Sequence, residues 1–180
     1  MGISREPKAA KYFVALLSSD ADFLNSVEKD LLAALGEIDG RSDRAPWTAS
    51  TFYEKEMGAG LSRQFLSFKS LDSPGNLAEI KLKTQAIEDR YRSVSTGGRR
   101  VNLDPGYLDV FKVVLASTKN AGQRIYLESG IYGEVTLLYH NAAFHGLAHT
   151  YVDYLWPETI VFFTQLRARY LTQLRNSADA

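Results

Sequence analysis

The chain contains no cysteine, which excludes a disulfide framework, a thiol nucleophile and thiolate coordination of a metal. It also lacks any apolar run near the length that spans a bilayer. No signal-like segment follows Met1, so the cytoplasm is the expected location. An excess of one charge is missing too: Lys and Arg together number 21, as do Asp and Glu. No overall field therefore draws the protein to nucleic acid or to anionic lipid, and any basic site has to be local. A hydrophobic fraction of 45% with 23% charged residues fits neither a disordered chain nor a membrane protein. The 180 residues suffice for one well-buried core. A single domain is expected over 11–176, between a flexible tail at 1–10 and a frayed end at 177–180.

Ordered structure is expected to begin near Lys11. The run YFVALL, Tyr12 to Leu17, is apolar on both faces and closed by Ser18, Ser19 and Asp20, the pattern of a strand in the middle of a sheet. A helix follows, capped by Asp20 or Ser19, with Leu24, Val27, Leu31 and Leu35 on its inner side and Gly36 as its stop. The turn-rich stretch 38–50 reads as a crossing loop that leads into a short extended piece. Gly58 and Gly60 mark a turn before an alternating strand at 62–70, SRQFLSFKS. Ser73 and Pro74 open a second helix with the stripe Leu77, Ile80, Ile87 and Tyr91. Val101 to Leu103 reads as a brief strand broken by Asp104-Pro105-Gly106. For 108–118 the spacing of Leu108, Phe111, Val114 and Leu115 favours a helix over the strand suggested by Val110, Val113 and Val114.

A hairpin over 123–139 can be registered from chemistry. A two-residue loop at Ser129-Gly130 would set Arg124 opposite Val135 and Ile125 opposite Glu134, mixing charge with core. A three-residue loop, with Gly130 in the left-handed region, instead pairs Leu127 with Ile131, Tyr126 with Tyr132, Ile125 with Gly133 and Arg124 with Glu134. Residues 141–153 hold all three histidines and read as irregular. Pro157 opens a last helix with the stripe Ile160, Phe163, Leu166, Tyr170 and Leu174. The result is an α+β fold, a mostly antiparallel sheet with three to four helices packed mainly on one face.

Several blocks resemble, in order and over essentially the whole length, an uncharacterised prokaryotic family known as domain of unknown function number forty-four sixteen. They are KYFVALLSS, FYEKEMGAGLSRQFLSFKSL, EIKLKT, RRVNLDPGYL, LASTKNAGQRIYL, GIYGEVTL and TYVDY. The resemblance implies a small cytoplasmic protein without an assigned reaction. Its relatives are sometimes named GTP-binding.

The unusual polar residues concentrate between Arg99 and Glu134. Asn102, Asp104, Lys119, Arg124 and Glu134 sit among residues that should be core, where each needs a partner or a ligand. No GxxxxGK[ST] phosphate loop occurs. The nearest substitute is the Gly97-Gly98 turn followed by Arg99 and Arg100, which either holds a phosphate or is a plain solvated turn. Asn102 and Asp104 share a strand face and, with Glu134, could take a hard cation, or else could serve the local backbone. Arg124 and Glu134 are either a structural pair or ligand contacts. If Lys81 and Lys119 converge with them, the result is a mixed-charge pocket. His145 and His149 fit no catalytic signature, and each is expected to be structural or superficial. The leading expectation is a nucleotide- or phosphate-ligand site at Arg99, Arg100, Asn102, Asp104, Lys119, Arg124 and Glu134. It has no resident metal, and Mg2+ is expected only alongside a nucleotide. Neither a membrane nor a nucleic acid is expected as a partner. The competing expectation is a non-catalytic module that meets RNA or a protein through the face of Arg124, Tyr126, Tyr132 and Thr136.

Overall fold

The computed structural model describes residues 2–20 and 23–178. In chain order the elements are β1 (Ala10–Ser18), α1 (Leu24–Leu35), β2 (Ile38–Arg41), β3 (Ala45–Pro46), α2 (Glu54–Met57), β4 (Ser62–Asp72) and α3 (Leu77–Arg90). They continue with β5 (Asn102–Leu108), β6 (Lys112–Ser117), β7 (Ile125–Glu128), β8 (Ile131–His140), β9 (Ala143–Gly146) and α4 (Pro157–Ala178). The strands form one antiparallel sheet in the order β2-β4-β1-β5-β6-β8-β7, with β3 on β4 and β9 on β8. The α+β class is thus as expected. No described helix is long and apolar enough to cross a membrane.

Every residue of β1 is buried, because both of its faces are covered. Tyr12, Val14 and Leu16 pack with α1 and α3, while Phe13 and Ala15 pack with α4. The longer helices therefore divide between the two faces rather than gathering on one, since a strand apolar on both sides needs a cover on each. α1 buries Leu24, Val27 and Leu31 and stops at Gly36, whose φ is 93°. The Ser73 hydroxyl accepts from the Gly75 N–H in a 3-10 turn that feeds α3. α4 buries Phe163, Leu166 and Tyr170, with Phe162 added to the expected stripe. It carries Ser177 and Ala178 in its last turn; the rest of the fraying expected at 177–180 falls outside the described residues.

Several local expectations are corrected. Residues 112–117 are a strand, not a helix. The Asp109 carboxylate accepts from the N–H groups of Phe111 and Lys112, closing a tight turn that sends β6 back along β5. Phe111, needed on a helical stripe, is 67% exposed. Residues 143–146 pair with β8 across a two-residue turn at Asn141 and Ala142, both at positive φ. The 38–50 stretch supplies two edge strands, and Glu54–Met57 is a helical turn. In the β7–β8 hairpin Tyr126 faces Tyr132 and Ile125 faces Gly133 as expected. The loop is nonetheless Ser129-Gly130, with φ of 50° and 77°, and Glu128 rather than Leu127 faces Ile131. Two left-handed residues match the strand twist, and a bulge at Leu127 restores the register that the two-residue loop would otherwise shift.

Asp104-Pro105-Gly106 does not break β5, which runs through it against Lys11 to Leu17 of β1. The proline shows its effect on the other side. β5 pairs with β6 only from Gly106 to Leu108, and Pro105 has no N–H to extend that ladder. Beyond Gly106 the two strands part, and the gap between them positions the candidate site. At the last point of contact Gly106 has no room for a side chain: an added Cβ would lie 2.5 Å from the Val114 carbonyl oxygen and 2.6 Å from Phe13 Cζ. Gly106→Ala is expected to lower stability by about 1–3 kcal/mol. A denaturant midpoint equal to that of the parent would show that β5 and β6 are not this close.

Candidate functional site

The parting of β5 and β6 leaves the backbone of Leu103, paired with β1 on one side, without a strand neighbour on the other, and two side chains of α3 take its place. Glu88 accepts from the Leu103 N–H at 2.5 Å, and Lys81 donates to the Leu103 carbonyl at 2.9 Å. They can do so together because seven residues are two helical turns, so both lie on the face of α3 that buries Ile80, Thr84 and Ile87. The opening is a cleft of about 580 Å3. From the opposite side of the sheet it is walled by Arg63 of β4, by Trp47, Phe52 and Tyr53, and by the 148–154 segment.

All of the residues singled out between Arg99 and Glu134 line this cleft except Arg100. Arg100 bonds Asp20 at 2.6 Å and lies over the Phe23 ring. Its neighbour Arg99 is held by both oxygens of Glu56, at 3.0 and 2.8 Å. These hydrogen bonds hold the Glu56 carboxyl down at about 2. The Gly97-Gly98 turn is closed by its own bonds to Ser93, so the expected phosphate turn has both of its arginines committed to carboxylates.

A polar relay crosses the cleft. Arg99 donates to Asn102 at 2.6 Å, Asn102 to Asp104 at 2.5 Å, and Lys81 to Asp104 at 3.2 Å. Burial alone would raise the Asp104 carboxyl, but the charges of Lys81 and Arg63, with the bonds from Lys81 and Asn102, outweigh it and lower it. At Glu88 burial outweighs the charge of Lys81 and the bond from the Leu103 N–H, and pushes the carboxyl up to about 7.

Arg124 and Glu134 form a buried pair, Nε to Oε2 at 3.1 Å and Nη2 to Oε1 at 3.2 Å, with side chains only 5% and 2% exposed. Arg124 also donates to the Lys119 carbonyl and to the Tyr151 hydroxyl, so it ties the β7–β8 hairpin to both cleft walls. Thr136 is buried, which breaks the open tyrosine face that was the competing expectation. Lys119 departs from its expected place in the core. It is exposed in the turn after β6, its Nζ lies 5.4 Å from the Phe52 ring, and it has no ion pair among the described residues.

The floor of the cleft lies outside the residues expected from the sequence. Arg63 and Asp153 approach to 3.0 Å with side chains 5% and 2% exposed. The contact is ionic and poorly aligned: Arg63 Nε and Nη1, Asp153 Oδ2 and the buried Tyr154 hydroxyl make no hydrogen bond within the protein. Burial raises the Asp153 carboxyl against the pull of Arg63. One signal did exist in SRQFLSF, where alternation sets Arg63 on the face of core residue Phe65. Glu88 and Asp153 had none as clear.

Among the histidines, His149 lines the cleft with Nε2 2.8 Å from the Val135 carbonyl oxygen, and His145 stacks on His140. Among the described residues no three His, Asp or Glu side chains gather to hold a metal ion. No curated protein and no solved structure matches the chain. The family model described as Domain of unknown function (DUF4416) matches residues 8–170. That span runs from just before β1 into α4 and takes in every wall of the cleft, so the chain belongs to the DUF4416 family.

Proposed function

We propose that the cleft binds a small phosphorylated ligand in the cytoplasm, with nucleotides, GTP among them, the compounds to try first. The observation that carries this reading is the state of Arg63, an arginine 4% exposed and lining a cavity, with Nε and Nη1 making no hydrogen bond within the protein. Asp153 at 3.0 Å and the Trp47 ring at 4.9 Å meet its charge, but buried N–H groups without hydrogen bonds are unfavourable for folding alone, and a ligand that satisfies them accounts for their retention. The volume lies within the usual range for small-molecule sites. The aromatic lining and the unpaired Lys119 suit a ring and a phosphate respectively. Any Mg2+ would arrive with the phosphates. An RNA- or protein-binding tyrosine face has less support, because Arg124, its only cation, is held by Glu134.

A thermal-shift panel of nucleotides, sugar phosphates and inorganic phosphate, each with and without Mg2+, tests this. A compound at a hundred times its Kd adds roughly 2.7 kcal/mol to the folded state, which corresponds to about 5–10 °C for a chain of this size. An unchanged midpoint with every compound at millimolar concentration would defeat the reading.

A further inference from the structure

We infer that the ligand enters this cleft ring first, with a planar heterocycle at the Arg63, Asp153 and Tyr154 floor and its phosphates at the mouth on Lys119. The inference rests on the reading above and makes it specific: the ligand class is a nucleotide, not a sugar phosphate or free phosphate.

The first argument is charge. Four of the cations lining the cleft already face a carboxylate: Arg63 with Asp153 at 3.0 Å, Lys81 with Asp104 at 3.2 Å, Arg99 with Glu56 at 2.8 Å and Arg124 with Glu134 at 3.1 Å. Glu88 adds another carboxyl. A phosphate dianion carried to the floor would meet Asp104, Glu88 and Asp153 at low dielectric, with no cation free to offset them. Lys119 is the lining cation that lacks an ion pair among the described residues, and it stands exposed at the end of β6. The inside of the cleft therefore carries no net positive charge, four cations being matched by four carboxylates with Glu88 over, and its free cation stands at the rim, which orients an amphiphilic anion.

The second argument is the floor itself. Arg63 Nη1 and the Tyr154 hydroxyl can donate, Asp153 Oδ2, ion-paired with Arg63 Nε at 3.0 Å, can accept, and none makes a hydrogen bond within the protein. The side chains are nine-tenths buried or more. A neutral edge carrying both acceptors and donors is complementary to that set; a phosphate, which only accepts, would be repelled by Asp153. Nucleobase edges have this mixed character, and they are flat. Trp47, Tyr53 and Tyr151 line the same cavity, so rings are available beside the edge-reading groups.

The experiment is isothermal titration of the full chain with guanosine, adenosine and uridine, their 5′-mono- and triphosphates, and ribose 5-phosphate. It is repeated on Lys119→Ala and Tyr154→Phe. Neither substitution should disturb folding, since Lys119 is exposed and the Tyr154 hydroxyl has no bond to lose. For the base that binds, Lys119→Ala should weaken the nucleotides about tenfold while leaving the parent nucleoside unchanged, and Tyr154→Phe should weaken both by a similar factor of about ten. Added salt should weaken the nucleotides and not the nucleoside. Ribose 5-phosphate binding as tightly as the nucleotides would overturn the ring-first orientation while leaving the phosphorylated-ligand reading intact. So would equal losses for nucleoside and nucleotide in Lys119→Ala, or no loss in Tyr154→Phe. No binding by any of these compounds would overturn the nucleotide inference, and the phosphorylated-ligand reading would fall with it when the thermal-shift panel is also unchanged.

Discussion

Glu134→Ala is expected to lower the free energy of unfolding by about 3–5 kcal/mol, whereas Lys119→Ala should change it by less than about 0.5 kcal/mol. Both residues line the cleft, and the contrast separates those that build it from those free to serve a ligand. Removing the Glu134 carboxylate leaves the Arg124 guanidinium, 5% exposed, with only the Lys119 carbonyl and the Tyr151 hydroxyl as hydrogen-bond acceptors. An uncompensated charge in that position is far more damaging than the net worth of the pair, because the desolvation of Arg124 is retained while its Coulomb partner is lost. The loss should spread to the hairpin, since Arg124 ties β7 and β8 to the 148–154 segment. Lys119 has solvent around it and no carboxylate to leave behind. Urea unfolding of both variants decides the matter. A Glu134→Ala protein within about 1 kcal/mol of the parent would mean that the pair is not buried in solution.

What could be read from the sequence follows the range of the forces involved. β1, α1, α3 and α4 were legible because each buries a continuous stripe, and a stripe leaves its period in adjacent residues. Residues 108–118 were misread because a helical spacing of apolar residues coincided with a short strand. What settled the conformation there was the Asp109 turn, whose signal is one carboxylate rather than a pattern. Pro105 was expected to break β5, and its penalty instead falls on one flank, where the loss of β6 opens the cleft. The residues between Arg99 and Glu134 stood out as polar groups in apolar strands, and the cleft gathers all of them but Arg100. Its other half was hidden because Arg63, Glu88 and Asp153 come from distant parts of the chain, and only the strand order and the packing of α3 bring them to Asn102 and Asp104.

The stability of the parent should fall as pH rises from about 4.5 to about 7, and Glu88→Gln should abolish most of that fall. Burial raises the Glu88 carboxyl from 4.5 to about 7, with the charge of Lys81 opposing it. The native state therefore holds this proton more tightly than the unfolded chain does. Between the two values the folded protein binds more protons than the unfolded one, so unfolding becomes easier with each step up in pH. Below about 4.5 Glu88 is protonated in both states and exerts no such pull; above about 7 the loss is complete, and a shift of this size corresponds to roughly 3 kcal/mol. Asp153, also raised by burial, adds a slope of the same sign that survives in the variant. Glu56 and Asp39 are lowered, and the stability they contribute is lost only at more acidic pH, outside this window. Glutamine keeps a carbonyl oxygen for the Leu103 N–H and carries no charge to desolvate, although it gives up the attraction of Lys81. The variant should match the parent near pH 4.5 and exceed it by up to roughly 3 kcal/mol at pH 8. Thermal midpoints of the two proteins from pH 4.5 to 8.5 provide the check, and curves that run parallel across the range would show that Glu88 is not buried as a proton carrier behind β5.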